Sequence, residues 1–334
     1  MASWAASGSP AALSYRLLRW RPSPICRFSA TFSPPFSSAA LDRSRRISLS
    51  AVCLSPLRSN RRPLPSPPAM ASDETLAAKE KMGLLVFDTE EELSVSLAKY
   101  AVELSEKFIR ERGAFTVVLS GGSLIKSLKK LTESPYSETL NWAKWHIFWV
   151  DERVVSKDHE DSNYKLAFDV FLSKVPIPPG QVCAINDALS AQGAAEDYET
   201  TLKHLVNIGV VVKSATGYPR FDLMLLGMGP DGHIASLFPS HPLVNVTDKW
   251  VTFIKDSPKP PPERITFTLP VINSSAYVAL VVAGAGKASV VSKALGNEKT
   301  ANVLPVEMVS LEDGELTWFT DKAAVSMLRD KLSL

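Results

Sequence analysis

The chain has 334 residues with 37 basic and 35 acidic side chains, a near balance that conceals two unlike parts. The first 70 residues hold ten arginines, fifteen serines, ten prolines, no lysine and one acid, Asp42, which leaves 27 basic against 34 acidic residues, formally −7, over the rest. That acidic remainder argues against a nucleic-acid binder; no apolar run of about 18 residues is present to span a membrane; and three cysteines, with Cys26 and Cys53 in the first 70 residues and Cys183 alone, make neither a disulfide framework nor a cysteine-rich zinc site.

An arginine- and serine-rich, acid-poor amino terminus has the composition of an organelle transit peptide. Its serine and proline content, without a sustained amphipathic helix, points to the chloroplast. Such a segment cannot supply the periodic apolar face of a packed element, so residues 1–70 are expected to be disordered. Residues 71–334 are expected to form one domain, and Met70 is a possible alternative start that would give a cytosolic form.

A short helix is expected near residues 75–82, then a strand over residues 84–87. Thr89 and Glu92 have the spacing of a capping box. Behind them Leu93, Leu97, Ala101, Leu104 and Phe108 recur at helical spacing, one apolar face. Residues 115–119 read as a strand ending in Ser120-Gly-Gly-Ser123, with a helix over residues 124–131. Residues 145–150 read as a strand ending in a polar loop, Asp151-Glu-Arg153. Ser162-Asn163 opens a helix to about Leu172, and residues 186–208 form a further helix.

A strand over residues 221–226 delivers the densest stretch of the chain, Gly227-Met-Gly-Pro-Asp-Gly-His233. Glycines there allow a sharp turn and close approach of a ligand to the backbone, and the imidazole of His233 suits proton transfer near neutral pH. A plain glycine-rich turn is the bland alternative, but Gly, Asp and His so concentrated favour function. A proline-rich loop follows, Asp256-Ser-Pro-Lys-Pro-Pro-Pro262, then a strand over residues 264–269. A continuous apolar strand over residues 277–283 turns through Gly284-Ala-Gly-Lys287 into a helix. A strand near residues 316–319 and a helix from Asp321 close the chain.

Strands alternating with helices imply an α/β fold, a mostly parallel, Rossmann-like sheet with helices on both faces. The polar strand ends then share one edge, where open sheets of this kind bind ligands. Gly121, Gly122 and Ser123 between strand and helix are either an anion-binding turn or a plain tight turn. Arg264 and Lys287 are phosphate ligands or surface cations. Each charged hydrogen bond from Arg264 would contribute roughly 1.5–3 kcal/mol. Histidines at zinc-ligand spacing on a helix are absent from the sequence, so no metal site is expected.

Taken together and in this order, these motifs resemble the 6-phosphogluconolactonase family: Ser120-Gly-Gly-Ser123, Asp151-Glu-Arg153 with Ser162-Asn163, Gly227 to His233 with Ser236-Leu-Phe-Pro239, the proline loop, Arg264-Ile-Thr-Phe-Thr-Leu269 and Gly286-Lys-Ala288. The resemblance runs from about Leu84 to the carboxyl terminus. Glucosamine-6-phosphate deaminase, in the wider superfamily, shares the Asp-Gly-His loop but follows it with Ala-Phe-Asn-Glu; here Ala235 precedes Ser236-Leu-Phe-Pro239, as in the lactonase branch.

The resemblance implies hydrolysis of a small-molecule sugar-phosphate lactone, 6-phospho-D-glucono-1,5-lactone, in the oxidative pentose phosphate pathway, with no cofactor. His233 is then the general base, Asp231 fixes its imidazole, and Arg153 is a candidate to counter charge on the tetrahedral intermediate. By similarity, Gly121, Gly122, Ser123, Arg264 and Lys287 hold the 6-phosphate, while Asp151 and Asn163 order the site. A sugar-phosphate isomerase or deaminase using Asp151, and a non-catalytic sugar-phosphate-binding protein, are the alternatives. A monomer or weak oligomer is expected.

Overall fold

The computed structural model describes residues 82–296 and 302–328. The transit-like segment expected to be disordered, the short helix expected near residues 75–82 except Met82, which is in a strand, and the end of the expected terminal helix, residues 329–334, lie outside the described residues.

Strand β1 (Met82–Phe87) leads into helix α1 (Glu90–Arg112). Thr89 caps that helix by accepting from the Glu92 amide at 3.1 Å. The Glu92 carboxylate answers by accepting from Asp88 N at 3.0 Å, so the box closes one residue upstream of the cap. Leu93, Leu97, Ala101 and Leu104 are buried along one stripe, each worth about 1 to 3 kcal/mol of apolar transfer according to size. Gly113 ends the helix at φ 76°.

Then come β2 (Phe115–Leu119), a one-turn helix α2 (Leu124–Ser127) continued as a 3₁₀ segment to Thr132, and α3 (Tyr136–Thr139). Strands β3 (Trp145–Trp149) and β4 (Asp151–Arg153) precede α4 (Asn163–Val170), which Ser162 caps, and α5 (Ala191–Asn207). A short hairpin, β5 (Val212–Lys213) and β6 (Pro219–Arg220), leads to β7 (Leu223–Gly227). The chain continues through β8 (Val251–Ile254), β9 (Arg264–Phe267), α6 (Leu269–Asn273), β10 (Tyr277–Val282), α7 (Ala288–Leu295) and β11 (Glu315–Asp321).

Six strands form one parallel sheet in the order β1-β11-β10-β7-β2-β3. Alternation along β7 shows why it needs cover on both sides. Met224 and Leu226 enter a cluster with Ala194 and Leu202 of α5 and Val291 of α7. Leu223 and Leu225 enter another, with Leu93, Leu97 and Leu104 of α1. Helices on both faces of a parallel sheet are as the strand–helix alternation implied.

Four local expectations need correction. Asp151-Glu-Arg153 is not a loop; it is the strand β4 of a second, antiparallel sheet of order β4-β9-β8. Strand β8 was not among the expected elements, although Val251-Thr-Phe-Ile254 is a short β-branched and aromatic run after Trp250, and Val251 is buried in the first apolar cluster. The helix expected from residue 186 begins at Ala191, where Ser190 supplies the cap. After β11 the described residues to Leu328 form successive turns rather than a helix. Asp321 accepts from Ala324 N at 2.7 Å and from Gly284 N, so its side chain ties down a neighbouring loop instead of starting a helix.

Candidate active site

Strands β2, β3, β7 and β10 end at the same edge of the parallel sheet. Their terminal segments and the proline loop enclose a cleft of about 320 Å³. It is lined by Gly121, Gly122 and Ser123 after β2, by Asp151 and Arg153 of β4, by Asn163 of α4, and by Gly229 and His233 after β7. Arg264 of β9 and Lys287 after β10 complete it. Asp231 stands just behind His233. Every candidate site residue named from the sequence is therefore at or against this one cleft.

The loop after β7 folds back on itself and seats the imidazole. Gly229 N donates to the His233 carbonyl at 2.9 Å, which closes the loop on itself. A Cβ on Gly229 would stand 2.0 Å from His233 Nδ1, so only glycine leaves room for the ring. Asp231 Oδ1 meets His233 Nδ1 at 2.5 Å, and Lys259 Nζ donates to the same oxygen at 3.0 Å. Burial acts to raise the Asp231 pKa, but the bonds from His233 and Lys259 outweigh it and hold the group down at about 2. An ionised Asp231 can only accept, so Nδ1 carries the ring proton and Nε2 keeps its lone pair. The ring packs on Phe238 with centroids 4.7 Å apart. Burial lowers the His233 pKa despite the pull of Asp231, which favours the neutral imidazole that a base requires.

The rest of the cleft is cationic. Arg153 and Arg264 are directly opposite each other across β4 and β9. Like charges so placed repel unless something else stabilises them. Arg153 donates through Nη1 to the Asp161 carbonyl at 3.1 Å, while among the described residues its buried Nε has no hydrogen-bond partner. Arg264 is 2% exposed, and most of its donors hold the proline loop. Its Nε donates to the Pro261 carbonyl at 3.0 Å, and Nη2 to the carbonyls of Lys259 and Pro260, both at 2.9 Å. Nη1 reaches Ser236 Oγ at 3.4 Å. Lys287 Nζ donates to the Met228 carbonyl. Burial lowers the pKa of Lys287, with Lys259 adding to the effect, and burial does the same to Arg264, with Arg153 adding.

A family model described as glucosamine-6-phosphate isomerases/6-phosphogluconolactonase matches residues 88–318. The chain belongs to that family. It is 66% identical over 302 residues to a rice (Oryza sativa subsp. indica) protein named probable 6-phosphogluconolactonase 4, chloroplastic, covering 90% of this chain and 93% of the relative. It is 65% identical over 254 residues to 6-phosphogluconolactonase 3, chloroplastic, of Arabidopsis thaliana, covering 76% and 77%. Among solved structures it is similar to the 6-phosphogluconolactonase of Trypanosoma brucei, with a TM-score of 0.64, 27% identity, and coverage of 74% of this chain and 99% of that one.

Within this lactonase and isomerase family fold, Asp151 and Asn163 are framework neighbours of the cleft. Asp151 Oδ2 accepts from Ser236 Oγ at 2.8 Å, and Asn163 Nδ2 donates to the Asp151 carbonyl at 3.0 Å. Asn163 Oδ1 lies 1.9 Å from where a Cβ on Gly121 would be, so that glycine is fixed by the asparagine beside it. The helix behind Ser123 is a single α turn, so a helix dipole adds little at this loop and its backbone amides are the donors an anion would meet. Lys259 is the site residue that sequence reasoning passed over. It sits in a loop chosen for its prolines, and only its family-like setting between two of them marks it.

Proposed function

We propose that the protein hydrolyses 6-phospho-D-glucono-1,5-lactone to 6-phospho-D-gluconate, the second step of the oxidative pentose phosphate pathway, with His233 as general base. The tautomer of His233 carries this reading. With Nδ1–H held by ionised Asp231, Nε2 is the ring nitrogen able to take a proton from a water in the cleft. The hydroxide adds to C1 of the lactone. Charge developing on the carbonyl oxygen would face the Arg153 guanidinium, which lines the cleft. Collapse breaks the bond from C1 to the ring oxygen, and the imidazolium returns its proton to that oxygen. Gly121, Gly122, Ser123, Lys287 and the remaining donor of Arg264 would hold the 6-phosphate, positioning C1 from a distance. A lactone carbonyl is electrophilic enough to need no metal, so turnover should survive exhaustive chelation.

An isomerase or deaminase would need Asp151 to move a carbon-bound proton. Its carboxylate is 5% exposed and bonded to Ser236, which does not favour that role. The deciding experiment measures hydrolysis of freshly generated phosphogluconolactone, corrected for spontaneous opening, beside turnover of amino-sugar phosphates. Lactone opening well above background is expected; amino-sugar turnover without it would overturn the reading.

Residues 1–70 are proposed to carry the enzyme into plastids. Their composition supports this, as do the chloroplastic names of the rice and Arabidopsis relatives. The match to the rice protein, spanning 90% of the chain, also reaches into this segment. Fused to a fluorescent protein, residues 1–70 should bring it to plastids; cytosolic or mitochondrial fluorescence would refute the assignment.

A further inference from the structure

We infer that Glu152 is a positioning residue of this site, its carboxylate tying Arg153 to the start of α4 so that Arg153 meets the substrate in a fixed place. The inference rests on the lactonase reading and adds a residue that touches no substrate.

Side chains alternate along a strand. Asp151 and Arg153 of β4 line the cleft, so Glu152 between them turns away from it and is 1% exposed. Its Oε1 accepts from Arg153 N at 2.7 Å and from Asn163 N at 2.8 Å. Its Oε2 accepts from Tyr164 N at 2.7 Å and stands 3.4 Å from Ser162 Oγ. Asn163 and Tyr164 are the first residues of α4, whose amides have no carbonyl partner within the helix. Ser162 already caps the helix through Lys165 N at 3.1 Å. Glu152 therefore does something a cap alone would not: one carboxylate grips the helix start and the strand that carries Arg153.

A carboxyl in this place carries a burial cost. Among the described residues no basic side chain forms an ion pair with Glu152. Asp151 beside it is the charged group that acts on it, and the neutral Tyr198 hydroxyl from α5 is the other titratable group near it. Burial pushes its pKa up to about 7 against the three amide bonds. A neutral side chain would avoid that penalty, but only a carboxylate offers two acceptor oxygens to donors on both elements. The tolerance for movement is small, because Asn163 Oδ1 already fills the space a Cβ on Gly121 would take.

Glu152→Gln places an amide nitrogen against backbone N–H donors and should loosen the joint. In the folded variant kcat should fall about 10- to 100-fold, the scale of a small misplacement of a reacting group, with KM changed much less. In an Arg153→Ala background the same change should cost almost nothing further in kcat, since Glu152 acts through Arg153. Glu152→Asp keeps both oxygens on a shorter stem and should retain an intermediate kcat; if Glu152→Gln does not fold, the cycle is run with Glu152→Asp. A lowered melting temperature with wild-type kcat, or a full loss of kcat persisting in the Arg153→Ala background, would overturn the inference. A readout independent of the reaction is the Arg153 Nε–H NMR signal, identified by its loss in Arg153→Ala. It should move in whichever Glu152 variant is used, and an unmoved signal overturns the inference. Absence of lactonase activity in the wild type, by contrast, would overturn the functional reading and leave this NMR test intact.

Discussion

The two edges of the parallel sheet both bury charge, and they treat it in opposite ways. At the amino edge Asp222, 2% exposed, accepts from Arg112 Nε at 3.1 Å and Nη2, from Thr116 N at 2.7 Å and from Thr116 Oγ1 at 2.8 Å. Arg112 Nη1 goes to the Val210 carbonyl at 2.9 Å. This network is closed: one carboxylate, one guanidinium, and donors spent within the protein. At the carboxyl edge Arg153 and Arg264 face each other across two strands, Lys259 and Lys287 join them, and among the described residues Arg153 Nε has no partner. A buried polar group left open costs free energy. A ligand bearing negative charge would offset the repulsion among these cations, a role the closed edge, whose two charges cancel, does not offer.

Breaking each edge should therefore give different losses. His233→Ala should reduce kcat by roughly 10²–10⁴-fold, the usual worth of a general base, with little change in melting temperature or in 6-phosphogluconate affinity. Near-wild-type turnover in a folded variant would remove His233 from the mechanism. Asp222→Ala leaves the partly buried Arg112 without its carboxylate and Thr116 N without its acceptor, and should destabilise the fold by about 1–3 kcal/mol. Denaturant unfolding measures that, and the kcat of the remaining folded molecules should be unchanged. A kcat defect in a stable Asp222→Ala protein would erase the distinction between the edges.

A smaller effect sharpens the phosphate half of the cleft. Lys287→Ala should weaken 6-phosphogluconate by about 10- to 100-fold, the equivalent of one charged hydrogen bond, and unphosphorylated gluconate hardly at all. Arg264→Ala should weaken both, because it also releases the carbonyls of Lys259, Pro260 and Pro261. Calorimetry with the two ligands separates these outcomes; equal losses for Lys287→Ala would show that it does not read the phosphate.

These contrasts also mark what the sequence made legible. Strand–turn–helix punctuation located Gly121, Gly122, Ser123, His233 and Lys287, because a strand's end and its following glycines are local signals. Their convergence followed from strands being parallel. The pairing of Arg112 with Asp222 was not legible, since 110 residues separate them and neither lies in a motif. Nor was the second sheet: β4 has three residues, too few to show alternation, and its charged ends read as a loop. Lys259 was hidden for a related reason. Its role depends on Arg264 drawing in the carbonyls of its loop, a tertiary contact that leaves no pattern along the chain.

Lys259 also gives the finest test of the comparison, because it tunes the base without donating to substrate in the proposed mechanism. Its ammonium lies 3.2 Å from His233 Nδ1, already committed to Asp231, and so acts on the ring as a nearby positive charge. After burial, which lowers the His233 pKa most, the bond and charge of Asp231 raise it and the charge of Lys259 lowers it. A general base works only when neutral, so kcat/KM should fall as pH drops through the His233 pKa, below the ordinary histidine value of about 6.5. Lys259→Met removes a lowering influence, and that acid limb should move to higher pH. Asp231→Asn removes a raising one, and the limb should move to lower pH with a loss of kcat as the tautomer is freed. Asp231 stays ionised through this range, its pKa being about 2, so it does not blur the reading in the wild type. Profiles of kcat/KM for both variants, corrected at each pH for spontaneous lactone opening, check the pair of directions. Shifts of the same sign in the two variants would show that Asp231 and Lys259 do not oppose each other on one imidazole.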